Sequence, residues 1–130
     1  MDTLTAEKTT KKILVIEDDA PMLNVLADKI SEKGFKVMKA LDGQQGLALA
    51  LKENPDLVLL DLRLPKLSGR ELLAMMRKDK KGKYIPVIIL TNDVAPESIE
   101  DALHKAAPAY FIKSETSLAT IVEAVQYHLK

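Results

Sequence analysis

Five short runs of aliphatic and β-branched residues, at 12–16, 35–40, 57–61, 86–91 and 109–113, divide the chain, and between them apolar residues recur at helical spacing. The first helical stretch opens at Asp19-Ala20-Pro21, a capping side chain followed by proline in the first turn. It carries Met22, Val25, Leu26 and Ile30 on one face and ends at Lys33-Gly34, a C-terminal glycine signal. The second, 44–53, turns Leu47 and Leu51 inward and stops before Asn54-Pro55. The third, 68–78, gathers Leu72, Leu73 and Met76, and the fourth, 96–105, places Ile99 and Leu103 in register. The last holds Leu118, Ile121, Val122, Val125 and Leu129, the cleanest 3.6-residue stripe. Apolar strands alternating with amphipathic helices predict an α/β fold: a parallel sheet covered on both faces, with right-handed crossovers. Residues 1–10 are polar, Thr-rich and aperiodic, and predict a disordered tail ahead of one domain over 11–130.

Ligands of such sheets bind beyond the carboxyl ends of the strands. Here those ends are polar. The first strand finishes in Glu17-Asp18-Asp19, the third in Asp61, the fourth in Thr91 and the fifth in Lys113. A carboxylate at the tip of an apolar strand is costly to leave dry, so Asp61 is expected to open onto a crevice. Acids, an acid, a hydroxyl and an ammonium at four strand ends suit phosphoryl and metal chemistry. A carboxylate can attack phosphorus and form an acyl phosphate. Its charge repels the incoming group, and Mg²⁺, which favours one or two carboxylates plus waters and phosphate oxygens, offsets that repulsion. A lysine can pair with one phosphoryl oxygen and a hydroxyl can bond another.

Composition narrows the alternatives. The 130 residues suit one domain, which buries roughly two-thirds of its unfolded surface. Lys+Arg and Asp+Glu both number 19, so no global charge directs the chain to nucleic acid or an anionic membrane. Without cysteine there is no disulfide framework and no thiolate site. No segment approaches the ~20 apolar residues of a membrane span, and the first ten residues lack the apolar core of a secretory signal. A cytoplasmic protein is expected.

The residues Ile13-Leu-Val-Ile-Glu17-Asp18-Asp19, Asp61-Leu-Arg-Leu-Pro65 with Gly69, Thr91, and Tyr110-Phe-Ile-Lys113, in that order, resemble the receiver domain of two-component response regulators over residues 11–130. The resemblance implies a flavodoxin-like, doubly wound five-stranded sheet in the order 2-1-3-4-5 with five helices. It implies that Asp61 is the phosphoacceptor and that Mg²⁺ is held by Asp18, by Glu17 mainly through water, by Asp61 and by the backbone carbonyl of Arg63. Thr91 and Lys113 would hold the phosphoryl group, and Tyr110 would be the switch aromatic. The implied donor is a sensor histidine kinase or a histidine phosphotransfer protein. The implied output is a downstream protein partner reading the face made by the fourth helix, fifth strand and last helix. Catalysis would be limited to the domain's own phosphorylation and dephosphorylation. The chain stops after the last predicted helix, so a stand-alone receiver is expected, although an excised one would look the same.

Three positions depart from the family pattern. Ser114 follows Lys113 where the family usually has proline on a cis bond; before a non-proline, cis costs about 3 kcal/mol, so a trans bond is expected. Asn92 is bulkier than the small residue usual after Thr91, and Ala106 stands where a glycine usually ends the fourth helix. Asp19, two before Pro21, reads as a helix cap, with a place in the metal's outer shell as its alternative role.

Blander readings accompany each feature. Alone, Glu17-Asp18-Asp19 is a solvated turn, Thr91 a strand residue and Lys113 a solvated end charge. His104 and His128 lack a second ligand at metal spacing and read as surface residues. The run 77–83 reads as a solvated loop. One rival function is an interaction module that needs no phosphate, kept open by Ser114 and Asn92. Another is a Mg²⁺-dependent phosphatase, which wants an acid two residues after the nucleophile, where this chain has Arg63. Arg63 and Asp93 are expected to face each other at the mouth of the site.

Overall fold

The computed structural model describes residues 10–93 and 106–129. Most of the predicted tail and the whole predicted helix 96–105, with Ile99, Leu103 and His104, lie outside the described residues. The described elements are β1 (Lys12–Ile16), α1 (Ala20–Ser31), β2 (Lys36–Ala40), α2 (Gly43–Glu53), β3 (Leu57–Leu60), α3 (Gly69–Lys78), β4 (Val87–Thr91), β5 (Ala109–Ile112) and α4 (Leu118–His128). Short 3₁₀ turns occupy Gly82–Tyr84 and Lys113–Glu115. All strand pairs are parallel, in the order β2-β1-β3-β4-β5, as the resemblance implied.

Alternation along each strand sorts the core into two halves. Leu14, Ile16, Val58, Leu60, Val87 and Ile89 point to the side covered by α2 and α3. Ile13, Val15, Leu57, Leu59, Ile88 and Leu90 point to the side covered by α1 and α4. Every residue of β3 and β4 is buried, which explains why these strands read as unbroken apolar runs.

Two inward faces differ from the sequence reading. The buried line of α1 is Leu23, Leu26, Ala27 and Ile30, and Val25 is 41% exposed. At 3.6 residues per turn that line leaves Val25 on the far side of the helix. In α2 the buried residues are Gly43, Gly46 and Ala50; Leu47 packs at their margin and Leu51 turns outward. Small residues let α2 lie close to the sheet: a Cβ on Gly46 would sit 2.7 Å from Ile16 Cδ1.

Arg77 is a larger correction, because it does not belong to a solvated loop. Its guanidinium donates from Nε and Nη2 to the Ala106 carbonyl at 3.0 and 2.6 Å, and from Nη1 to the Gly82 and Ile85 carbonyls at 2.9 and 2.8 Å. The end of α3 is thereby tied to the start of β4 and to the chain entering β5. Arg77→Ala would strand three carbonyls at once, and charge-assisted bonds of this kind predict a loss of about 2–4 kcal/mol. Urea unfolding should show that loss, with Lys78→Ala within about 0.5 kcal/mol of wild type; equal stabilities for the two variants would contradict the clamp.

Candidate functional site

The four polar strand ends converge. Backbone pairing sets the floor: the Glu17 N–H donates to Ala40 O at 3.0 Å and the Asp61 N–H to Ile16 O at 3.1 Å, so both acids leave the sheet at its carboxyl edge. Glu17 is 2% exposed, Asp61 5% and Thr91 0%. Asp18 is exposed at the rim. Lys113 reaches back from the end of β5, and its Nζ lies 2.7 Å from Asp61 Oδ2 and 2.5 Å from Glu17 Oε1.

Each of the two buried acids has a second anchor. Glu17 Oε2 accepts the Asp19 N–H at 3.0 Å, and Asp61 Oδ1 accepts the Arg63 N–H at 3.1 Å. Asp19 itself caps α1, accepting the Met22 N–H at 3.5 Å, as its place before Pro21 predicted. The Thr91 hydroxyl oxygen accepts the Asp93 N–H at 3.0 Å, which leaves its O–H available as a donor. These groups line a crevice of about 210 Å³. A larger groove of about 370 Å³ between α1 and α4 has only exposed charges, those of Lys29, Glu32, Lys33 and Glu123, and no comparable convergence.

The loop after Asp61 is held by close backbone approach. A Cβ on Gly69 would lie 2.3 Å from the Asp61 carbonyl oxygen, and one on Gly43 would overlap the Leu67 carbonyl, so glycine is required at both positions. Leu62 is buried directly after Asp61, and a reciprocal Ser68–Glu71 cap starts α3.

Glu17, Asp18 and Asp61 each offer an oxygen within 4.8 Å of the others. All-oxygen, carboxylate-rich donors suit a hard divalent cation such as Mg²⁺. Burial pushes the Glu17 carboxyl above its ordinary value, against the opposing bond from Lys113; the charge of Asp61 adds to the rise. Burial alone would lower Lys113, but its bonds to Asp61 and Glu17 outweigh this and raise it.

The mouth holds a residue that the sequence reading missed. Arg63 and Asp93 do pair, at 3.6 Å, but Arg70 Nη1 on α3 grips Asp93 Oδ2 more closely, at 2.9 Å. Nothing in the sequence marked Arg70; only the placement of α3 beside the end of β4 reveals it. The Tyr110 hydroxyl donates to Asp93 O at 3.3 Å while its ring packs on the α2–α3 side of the core. Tyr110 is thus docked between Asp93 and the core. Among the described residues no peptide bond is cis, so Lys113–Ser114 is trans as expected. The Asn92 side chain accepts the Ser114 N–H at 2.9 Å.

Comparison with known proteins points to one family. Residues 13–126 match the model of the response regulator receiver domain. The polar-differentiation response regulator DivK of Brucella ovis is 28% identical over 120 residues, covering 92% of this chain and 97% of that protein. A CheY-like response regulator receiver domain protein from Methanospirillum hungatei superposes with a TM-score of 0.84 at 27% identity, over 93% of this chain and 94% of that one. The receiver domain of a sensor histidine kinase from Pseudomonas aeruginosa, solved with a magnesium ion coordinated in its active site cleft, gives a TM-score of 0.81 at 26% identity, over 93% and 98%.

The raised carboxyl of Glu17 has a pH signature. A folded-state pKa above the unfolded 4.5 means that ionising Glu17 costs folded stability. That cost sets in as pH rises through 4.5 and is complete above the folded value. In metal-free urea unfolding, wild type should lose stability relative to Glu17→Gln across this window and then run parallel to it. A wild type that gains on the variant over the same window would contradict the burial of an ionised Glu17.

Proposed function

The chain belongs to the family of response regulator receiver domains, and from that premise we propose that Asp61 accepts a phosphoryl group from the phosphohistidine of a sensor histidine kinase or histidine phosphotransfer protein. The observation that carries this reading is the Lys113 ammonium held 2.7 Å from Asp61 in a crevice that also contains Glu17, Asp18 and the Thr91 hydroxyl. One Asp61 oxygen attacks phosphorus, the P–N bond breaks, and its electron pair returns to the donor imidazole, which takes a proton from solvent. Lys113 then pairs with a phosphoryl oxygen and Thr91 donates its O–H to another. Held by Glu17, Asp18, Asp61 and the Arg63 carbonyl, Mg²⁺ would neutralise the charge brought together by carboxylate and phosphate.

In this reading the phosphoryl group also works as a switch. An acceptor offered to the Thr91 hydroxyl competes with the Asp93 N–H for the geometry of that side chain, and Asp93 O is the partner of Tyr110. Phosphorylation would shift the balance between accessible rotamers of Tyr110 by its differential affinity for the two states. The change would emerge on the face that includes β5 and α4, where a downstream protein could read it. Catalysis is confined to the domain's own phosphorylation and dephosphorylation. Among the described residues no helix is long and apolar enough to cross a membrane, and a cytoplasmic setting is part of the proposal. The rival reading, an interaction module without phosphate, drew its support from Ser114 and Asn92; with those two bonded to each other and Lys113 on Asp61, no observation favours it.

Intact mass after incubation with acetyl phosphate and Mg²⁺ tests the proposal. Wild type should gain one phosphoryl group, and Asp61→Asn none. Millimolar Mg²⁺ should also raise the melting temperature of wild type by mass action, and raise that of Asp18→Ala less. An equal adduct on Asp61→Asn, or melting indifferent to Mg²⁺ in both proteins, would contradict the assignment.

A further inference from the structure

We infer that Asn92 is a positioning residue that aims Lys113, acting through the peptide bond between Lys113 and Ser114. This rests on the phosphoacceptor reading and assigns a role to two residues which that reading left unexplained. Lys113 approaches Asp61 from the first residue of a 3₁₀ turn, and its side-chain direction depends on how the following peptide plane is set. Both polar atoms of that plane are held. The Lys113 carbonyl accepts the Thr116 N–H at 3.3 Å, and the Ser114 N–H donates to Asn92 Oδ1 at 2.9 Å. A peptide fixed at both its donor and its acceptor cannot rotate without losing one bond, so the Lys113 backbone is locked at the point where its side chain departs.

The sheet register explains why Asn92 is the partner. Thr91 lies opposite Ile112 in the β4–β5 ladder, so Asn92 follows the last paired residue of β4 just as Lys113 follows that of β5. The Asn92 side chain extends the ladder one step past the strand ends, with an amide oxygen in place of a backbone carbonyl. The bond needs an N–H at position 114, which proline lacks, and it needs an acceptor at 92 longer than a small side chain provides. Residues 92 and 114 are therefore complementary, and each explains the other. Because Asn92 follows Thr91, the brace also joins the two side chains proposed to hold the phosphoryl group.

The test is a double-mutant cycle on the full chain: wild type, Asn92→Ala, Ser114→Pro and the pair, with Ser114→Ala as a control that keeps the N–H. Two readouts are taken: the rate of Asp61 phosphorylation by acetyl phosphate at fixed Mg²⁺, and hydrogen exchange at the Ser114 amide in the unmodified protein. Losing one exposed hydrogen bond that orients Lys113 should slow phosphorylation about two- to ten-fold in Asn92→Ala. Ser114→Pro should slow it similarly, the pair should be no slower than the slower single variant, and Ser114→Ala should match wild type. Asn92→Ala should also speed Ser114 amide exchange, a result independent of any phosphoryl chemistry. Multiplicative rate losses in the pair, an unchanged rate in Asn92→Ala, or unchanged Ser114 exchange would overturn the inference. Asn92 is exposed, so Asn92→Ala decides the matter even if Ser114→Pro fails to fold. A wild type that takes up no phosphate would refute the phosphoacceptor reading instead, and the exchange result would still test the brace.

Discussion

The site depends on one ammonium group. Glu17 and Asp61 are buried beside each other at the ends of β1 and β3, and Lys113 is the cation that touches both. Leaving two carboxylates in a low-dielectric crevice without a counter-charge is costly, and so is burying a lysine alone. The sheet order makes a long side chain necessary. β5 lies two strands from β3, about 10 Å across the sheet, so the cation has to cross over the end of β4. Thr91 occupies that end, which places its hydroxyl beneath the lysine's path. The same constraint explains why Lys113 needs backbone support: a crossing of this length converts a small backbone rotation into a large displacement of Nζ.

The arrangement is poised rather than relaxed. A buried ion pair is weak evidence of stability, because desolvation offsets much of its attraction. Here burial pushes the Glu17 carboxyl up even with Lys113 bonded to it, the direction such a cost gives. A second cation that takes over part of the negative charge would release Lys113 to pair with an arriving phosphoryl group. The Asp93 cluster adds a second layer at the mouth, where Arg70 and Arg63 hold the carboxylate while its backbone meets Thr91 and Tyr110.

Much of this was legible in the chain. Apolar runs giving way to Asp61, Thr91 and Lys113 mark strand tips without any knowledge of the partners, because a charged or polar group is costly to bury inside such a strand without a partner. Asp19 before Pro21 marked the cap for similarly local reasons. The failures are long-range. Arg77 sits in a run of charges that looks solvated, and its carbonyl acceptors at Ala106, Gly82 and Ile85 meet only after folding. Arg70 is silent until α3 docks beside β4. Val25 and Leu51 are apolar residues at plausible spacing, and only packing decides which side of a helix faces the sheet. Asn92 and Ser114 read as two separate departures because the register that joins them, 22 residues apart, is a property of the sheet.

Of three neighbouring acids, Asp61 is the one proposed to attack phosphorus. An acyl phosphate is reduced by borohydride to the corresponding alcohol, so an aspartyl phosphate becomes homoserine and is marked permanently in the chain. Protein phosphorylated with acetyl phosphate and Mg²⁺, reduced, digested and sequenced by tandem mass spectrometry should carry homoserine at position 61, with Glu17 and Asp18 intact. Homoserine at position 18, or a reduced glutamate at 17 with Asp61 unchanged, would contradict the account.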